Sequence, residues 1–278
     1  MQQLPPLELK RKIRNSQDPD EIITYISYNI PSYTPTENSM LLCELLEYQD
    51  IFIEAAELLI ETGGANIHYK KEDMIPIVFC AVGANKPLAV EYALAKGASL
   101  RIDNPDYLFA VAYLFRQYRL NAIAEVLMLL IQHNIHFNFV LESRETPLLL
   151  AVRHNPNPEV VHFLLTENVD KYVYDEDGFT AIHYAPFAKA PNLYKQLVTT
   201  VEDVLVTTQY ATTMEPVPNC VIKVEADTTF EEFIYISLNA FLHNRHLMLE
   251  EIFEKYYYRL HMVAEHIAQI WEKTGSGL

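Results

Sequence analysis

The chain has little of what several protein classes require. Only three of its 278 residues are cysteines, Cys43, Cys80 and Cys220, too few and too scattered in sequence for a disulfide framework or a clustered zinc site. The longest uninterrupted apolar run, Tyr107 to Phe115, falls far short of the ~20 residues of a membrane-spanning helix. The seven glycines form no phosphate-binding loop. We therefore expect no membrane span, no metal and no cofactor.

Positive charge is also scarce. Lysine and arginine number 21 against 37 acidic residues, a formal net charge of −16. Such a field repels phosphate backbones and anionic lipid, so nucleic acid is not the expected partner. The N-terminal segment 1–6 has prolines where a secretory signal carries basic and apolar stretches. The sequence predicts a protein of the reducing cytoplasm.

A repeating pattern of helix ends runs through the middle of the chain. Four amphipathic stretches stop at Gly64, Gly97, Asn134 and Asn168, at spacings of 33, 37 and 34 residues. Glycine and asparagine adopt positive φ at low steric cost, as many helix ends require. Further apolar segments lie at 75–81, 107–113, 146–152 and 180–185. The pattern predicts units of two short helices each.

Two of these segments carry a motif. Thr146–Ala151 (TPLLLA) and Thr180–Ala185 (TAIHYA) resemble the Thr-Pro-Leu-His-x-Ala signature of the ankyrin repeat, and Asp175–Gly178 is similar to the hairpin tip of that family. The resemblance covers roughly residues 39–201 and implies an all-α ankyrin-repeat solenoid of about five units. The units are degenerate, because the tip glycine of the family is replaced by Met74, Tyr107 and Arg144. The third unit has four or five extra residues, expected near 116–121 or 139–142.

The N-terminal residues are expected to cover one end of the stack, because a terminal repeat has no neighbour on one side. Residues 1–38 predict a helical cap, with helices over Leu7–Arg14 and Pro19–Asn29. An alternative is that Leu4–Pro6 and Asp18–Pro19 resemble the opening of an F-box, which would recruit a ubiquitin-ligase adaptor.

Residues 202–278 are expected to cover the other end. Candidate strands at 203–208 and 220–224 predict a hairpin or ordered loop. Two helical stripes follow, and a break near 243–245 makes them an antiparallel pair, with one longer helix as the alternative. The three consecutive tyrosines 256–258 point in different directions around a helix, so at least one is expected to be exposed.

Residues that could carry catalysis are present but lack a known pattern. The C-terminal region contains Cys220, His243, His246, Glu250, His261 and His266. We interpret its histidines as solvated or capping, because neither HExxH spacing nor paired cysteines occur. The alternative is a catalytic module in which a Cys220 thiolate pairs with His243 or His261. His183 is interpreted as structural and His162 as a surface residue, so we expect no enzyme.

The resemblance implies that hairpin tips and inner helices form a concave surface for a protein partner. The tips are acidic, which favours a basic partner surface, although solvated loops in an acidic protein would look the same. Aromatic anchors complete the candidate binding site. Its residues are Tyr69, Glu72, Asp73, Asp103, Asp106, Phe139, Glu142, Glu145, Tyr172, Asp175, Glu176, Asp177 and Phe179.

The low glycine content, irregular units and unclassified tail also resemble a particular group of ankyrin proteins. Intracellular bacteria deliver these proteins into host cells by type IV secretion. The resemblance implies a virulence effector that acts in the host cytosol.

Overall fold

The computed structural model describes residues 3–16, 18–48, 53–71, 75–101 and 107–275, and it is mostly helical. No helix within those ranges is both long and apolar enough to cross a membrane. The chain forms two compact units that interleave along the sequence. Unit 1 comprises Met1–Leu114 and Asn121–His136, and unit 2 comprises Phe115–Leu120 and Phe137–Leu278.

The first part of the chain contains α1 (Pro6–Asn15), α2 (Pro19–Asn29), α3 (Pro35–Tyr48), α4 (Ile53–Glu57, continued by a π-helical turn over Leu58–Thr62), β1 (Lys70–Lys71), β2 (Ile75–Pro76), α5 (Ile77–Gly83), α6 (Pro87–Ala95), α7 (Tyr107–Gln117) and α8 (Leu120–Gln132). β1 pairs with β2 in antiparallel register, with Lys71 opposite Ile75.

Both N-terminal helices lie where the sequence predicts them. α2 begins at Pro19 because Asp18 caps it: its carboxylate accepts from the backbone N–H groups of Asp20 and Glu21, at 3.0 and 3.4 Å. Proline in the first helical position completes this start signal.

Helix α1 is held against α3 by a buried carboxylate. Glu44 of α3 is 1 % exposed, and its two oxygens accept from Lys10 Nζ at 2.5 Å and Arg14 Nε at 2.6 Å. Burial alone would raise the pKa of Glu44, but the hydrogen bonds from Arg14 and Lys10 outweigh it and lower the pKa. An ionised Glu44 thus joins the two helices.

The four predicted helix ends are confirmed. Gly64, Gly97, Asn134 and Asn168 have φ of 64°, 94°, 60° and 54°. After the last three, the next residue donates its N–H to the carbonyl five positions earlier, at 2.9, 2.9 and 3.2 Å (Ala98 to Ala93, Ile135 to Leu130, Val169 to Leu164). This is the Schellman closure of a helix. After Gly64 the bond reaches six positions back, from Ala65 to Leu59, because the helix ends in a π turn.

The extra residues of the third unit do not form a longer loop. Helices α7 and α8 have 11 and 13 residues, whereas α9 (Pro147–His154) and α10 (Pro158–Thr166) have 8 and 9. The predicted position 116–121 covers the end of α7 and the start of α8, so added residues at that position are helical. Leu120 to Gln132 contains no proline or glycine, so the added residues extend the helix.

The remaining elements are α11 (Ala181–Tyr184), followed by a 3₁₀ turn (Ala185–Phe187), then α12 (Tyr194–Leu197), α13 (Val201–Val204), β3 (Thr212–Val217), β4 (Cys220–Val224), α14 (Phe230–Asn244), a second 3₁₀ turn (Arg245–Leu247) and α15 (Glu250–Thr274). All of them belong to unit 2.

The hairpin differs from the predicted one in its first strand. β4 is confirmed, but its partner is β3 and not 203–208, which begins as helix α13. Thr200 and Asp203 form a capping box that starts the helix, and this local bonding overrides the strand preference of valine and threonine. The pairing is irregular between Met214 and Val217, where Pro216 has no N–H to donate.

The break between the last two helices is confirmed. Trp271, near the end of α15, donates to Glu231 at the start of α14 at 3.3 Å. Tyr256, near the start of α15, lies 6.4 Å from the ring of Phe241 near the end of α14. Contacts at opposite ends establish an antiparallel pair.

Helix α15 also covers the residues that follow the last signature. Arg259 Nη1 donates to the Ala188 carbonyl at 2.9 Å, and His266 Nε2 lies 2.7 Å from the Val198 carbonyl oxygen. The Tyr256 ring lies 6.5 Å from that of Phe187. Tyr258 is 66 % exposed, which confirms that one residue of the tyrosine run faces solvent.

Candidate partner-binding surface

Two turns of unit 2 have the same backbone geometry, 34 residues apart in sequence. In the turn 141–145, Leu141 donates its N–H to the Glu145 carbonyl at 2.9 Å, and Asp175 donates to Phe179 at the same distance in the turn 175–179. The fourth residue of each turn is left-handed, with φ of 54° at Arg144 and 79° at Gly178. Arg144 therefore occupies the position of the tip glycine, as the ankyrin signature predicts. We call the turns 141–145 and 175–179 the tip turns.

Each tip turn leads into a capped helix. The Thr146 hydroxyl accepts from the Leu149 N–H at 3.1 Å, which starts α9. At the start of α11, His183 Nδ1 accepts from the Thr180 N–H at 3.2 Å. In both cases the signature threonine is the N-cap residue of the helix that follows the turn.

The tip turns present carboxylates to solvent. Glu142, Glu176 and Asp177 are exposed, whereas Glu145 is half-buried and forms an ion pair with Arg153 at 3.4 Å. A negative surface of this kind attracts cations through water and is weakened by salt. The predicted residues Glu72, Asp73, Asp103 and Asp106 lie outside the described residues.

Two predicted contact residues are instead part of the interior. Asp175 is 3 % exposed, and it accepts from the N–H groups of Asp177 and Phe179, both at 3.0 Å, and from the Tyr184 hydroxyl at 2.6 Å. Phe179 is fully buried, 5.9 Å from the ring of Phe233 in α14. A partner cannot reach either side chain in the folded chain, so their assignment to the binding surface is wrong.

The other predicted aromatic anchors are partly accessible. Tyr172 is 40 % exposed, and its hydroxyl donates to Asp203 at 2.7 Å. Burial and that hydrogen bond raise the pKa of Tyr172. Phe139, just before the first tip turn, and Tyr69, just before β1 in unit 1, are half-buried.

Asp203 is a residue that the sequence analysis did not single out. It is fully buried, and it accepts from Lys171 at 2.6 Å and from the N–H groups of Thr199 and Thr200 at 2.7 and 2.9 Å. Burial would raise the pKa of Asp203, but these donors and Tyr172 lower it. The spacing Thr200-x-x-Asp203 is a capping-box signal that could have identified it.

A cleft of about 220 Å³ opens beside the second tip turn. Its lining includes Asp177, Arg153, His154, Glu215 and Pro216. The Arg153 guanidinium lies 4.9 Å from the Tyr184 ring centre. Burial, assisted by the positive charges of Arg116, Arg153 and Lys189, lowers the pKa of His154 to about 4. The cleft therefore contains two acidic side chains, the Arg153 guanidinium and an imidazole that is neutral at pH 7.

The candidate nucleophile of the C-terminal region is not activated. Cys220 is fully buried, and burial together with Glu215 raises the pKa of its thiol to about 11. Its proposed partners His243 and His261 are exposed. A thiol that stays protonated is a poor nucleophile.

Three possible metal ligands lie together in unit 1. The sulfur atoms of Cys43 and Cys80 and a carboxylate oxygen of Glu47 are within 4.8 Å of one another. The cysteines are scattered in sequence, as noted above, but the fold brings two of them together. A search for closely spaced ligand motifs could not find this group, because Cys80 comes from a different helix.

Comparison with known families supports the interpretation of the tip turns. Residues 117–207 match a family described as ankyrin repeats, in three copies. Ankyrin repeats are present. The matched region, 117–207, contains both tip turns, and it also contains Tyr172 and Asp203. No curated protein matches the chain.

Proposed function

We propose that the chain is a non-enzymatic adaptor that binds a partner protein through its ankyrin repeats. Such repeats generally mediate protein–protein interaction. The proposal includes a solenoid of about five units over residues 39–201, a helical cap in residues 1–38 and a covering extension in residues 202–278. The overlap between the family match and the tip turns supports it.

The exposed carboxylates of the tip turns carry the proposal of a basic partner. Glu142, Glu176 and Asp177 are exposed on turns of matching geometry, so an extended basic segment could meet both turns one repeat apart. Their charges would accelerate encounter more than they would strengthen the final complex. Glu72, Asp73, Asp103 and Asp106 remain predicted partner-binding residues.

The cleft beside Asp177 offers an anchor for one side chain of the partner. Its volume of about 220 Å³ suits a lysine or arginine side chain, with Asp177 and Glu215 as acceptors. Phe139 and Tyr172 would contribute apolar contact around the charged groups.

Charge reversal at the second tip turn tests the proposal. We expect the double variant Glu176→Lys, Asp177→Lys to bind lysine- and arginine-rich peptides about tenfold more slowly at low salt, because steering depends on local charge. Stopped-flow association rates across a salt series would measure it, and raising the salt should slow the wild type more than the variant.

The matched control carries the same charge change elsewhere in unit 2. Glu254 and Glu265 are exposed on α15, so Glu254→Lys, Glu265→Lys changes the net charge equally. Equal slowing in both variants would attribute the effect to net charge and would contradict a role for the tip turns.

The alternative of a catalytic or ubiquitin-ligase-recruiting module at either end makes a different prediction. Alanine at Cys220, His243 and Glu250 would abolish the cellular effect of a catalytic protein and would leave that of an adaptor intact. The buried, protonated Cys220 favours the adaptor.

Delivery into host cells by type IV secretion is a separate proposal, and it is supported only by the composition and the irregular repeats. A translocation reporter fused to the chain, in a strain with and without the secretion system, would test it.

A further inference from the structure

Two cysteines and a glutamate that the adaptor function leaves unused lie on facing helices of unit 1. Cys43 and Glu47 are four residues apart in α3, so they share one face of that helix. Cys80 belongs to α5, which packs against α3. Their three ligand atoms lie within 4.8 Å of one another.

The separation suits a tetrahedral metal ion. Zinc–thiolate bonds of ~2.3 Å and zinc–carboxylate bonds of ~2.1 Å place ligand atoms roughly 3.5–3.8 Å apart. The three atoms would need to approach one another by about 1.3 Å at most, which side-chain rotation can supply. Two thiolates select zinc over magnesium or calcium.

Burial of the group matches a site at the edge of a core. Cys43 is 2 % exposed, whereas Cys80 and Glu47 are half-buried. A water molecule can therefore reach the fourth coordination position from solvent. The protein would supply three ligands, two from α3 and one from α5.

In the structure, a lysine supplies the positive charge beside the Glu47 carboxylate. Lys71 Nζ of β1 lies 2.5 Å from Glu47 Oε2. A metal ion would compete with this ammonium group for the same oxygen. Repulsion between Lys71 and the ion would also weaken metal binding.

We infer that Cys43, Glu47 and Cys80 form a zinc site that joins α3 to α5, with water as the fourth ligand. On binding, the two thiols release their protons to solvent and coordinate as thiolates. Glu47 exchanges its ion pair with Lys71 for a bond to the metal.

Metal titration of the full-length chain tests the site. The protein is stripped of metal under a non-thiol reductant, then titrated with Zn²⁺ by calorimetry and with Co²⁺ by absorption. We expect one equivalent of either ion, with a thiolate-to-cobalt charge-transfer band and the visible bands of tetrahedral cobalt. Cys80→Ala should remove the charge-transfer intensity of one thiolate and weaken affinity at least roughly tenfold.

Two further variants separate a ligand role from general damage. Cys220→Ala makes the same change at the buried cysteine of unit 2 and should bind zinc like the wild type. Lys71→Gln removes the competing charge and should tighten binding about tenfold, which disruption of the fold would not do. If Cys80→Ala does not fold, Glu47→Gln gives the second ligand test, with an expected loss of roughly tenfold.

Three results would overturn the inference. They are the absence of zinc uptake by the wild type, unchanged affinity in folded Cys80→Ala or Glu47→Gln, and weaker binding in Lys71→Gln. A Cys43–Cys80 disulfide in air-exposed protein that takes up no zinc after reduction would identify a redox pair instead.

Discussion

At the residue scale, the interior holds a histidine that must remain neutral. His183 is fully buried, and burial lowers its pKa to about 3. Its Nδ1 accepts from the Thr180 N–H, and its ring packs 5.3 Å from that of Phe233. Nε2 has no hydrogen-bond partner among the residues that the structure describes. Protonation would place an unpaired charge in this aromatic cluster.

His183 therefore links stability to pH near neutrality. Because its folded pKa lies below the ordinary value of 6.5, its contribution is complete above pH 6.5 and is lost as pH falls toward about 3. By pH 5.5 the loss from this group reaches about 1.4 kcal/mol relative to pH 8. Urea unfolding measures this effect. Between pH 8 and pH 5.5, the free energy of unfolding of His183→Gln should fall by about 1.4 kcal/mol less than that of the wild type.

The control for this prediction is His162→Gln, which changes an exposed histidine of α10. It should retain the wild-type pH dependence, and His154 contributes equally to all three proteins. Parallel pH curves for the wild type and His183→Gln would show that His183 does not resist protonation.

At the element scale, a single carboxylate determines how α1 is attached. Apolar contacts of Leu9 and Ile13 also bury the inner face of α1. The ion pairs of Glu44 with Lys10 and Arg14 add direction to that contact, because the buried carboxylate is satisfied only when α1 lies in one register.

Replacement of this carboxylate should loosen the N-terminal helix. Glu44→Gln removes the charge to which both cations donate, and we expect a loss of about 1.5–3 kcal/mol in the free energy of unfolding. Relative to the wild type, amide hydrogen exchange in this variant should accelerate more in α1 than in α5. In the wild type the contribution of Glu44 is present above its ordinary pKa of 4.5 and is lost as pH falls below it.

Glu54→Gln is the matched control, since Glu54 is exposed on α4. If both variants lose the same stability, the effect comes from the loss of negative charge in general and not from the bonds to α1.

At the scale of the whole molecule, the sequence predicted features that depend on single residues better than features that depend on contacts between helices. The helix ends at Gly64, Gly97, Asn134 and Asn168 depend on the conformation of one residue each, so the sequence identified them. The buried state of Phe179 and Asp175 depends on α14 and α11, which lie far along the chain or across a turn. Exposure of a tip residue could not be read from its position in the repeat alone.

The group of Cys43, Glu47 and Cys80 is a second feature that the sequence alone did not predict. The one-turn spacing of Cys43 and Glu47 is visible in the sequence, but their meeting with Cys80 depends on the packing of α3 against α5. Similarly, Asn155 donates to the Phe115 and Tyr118 carbonyls at 2.7 Å, a link across about forty residues that no spacing rule predicts. Long-range polar contacts had to be seen in the structure.

The interleaved chain limits how the protein can be shortened for experiments. Phe115 belongs to unit 2, where its ring lies 5.2 Å from Phe137 and 6.2 Å from Phe163, and its carbonyl accepts from Asn155. An expression clone that starts at residue 137 would lack that ring and leave the Asn155 amide without its acceptors. Any recombinant piece meant to preserve the second unit must therefore begin before Phe115.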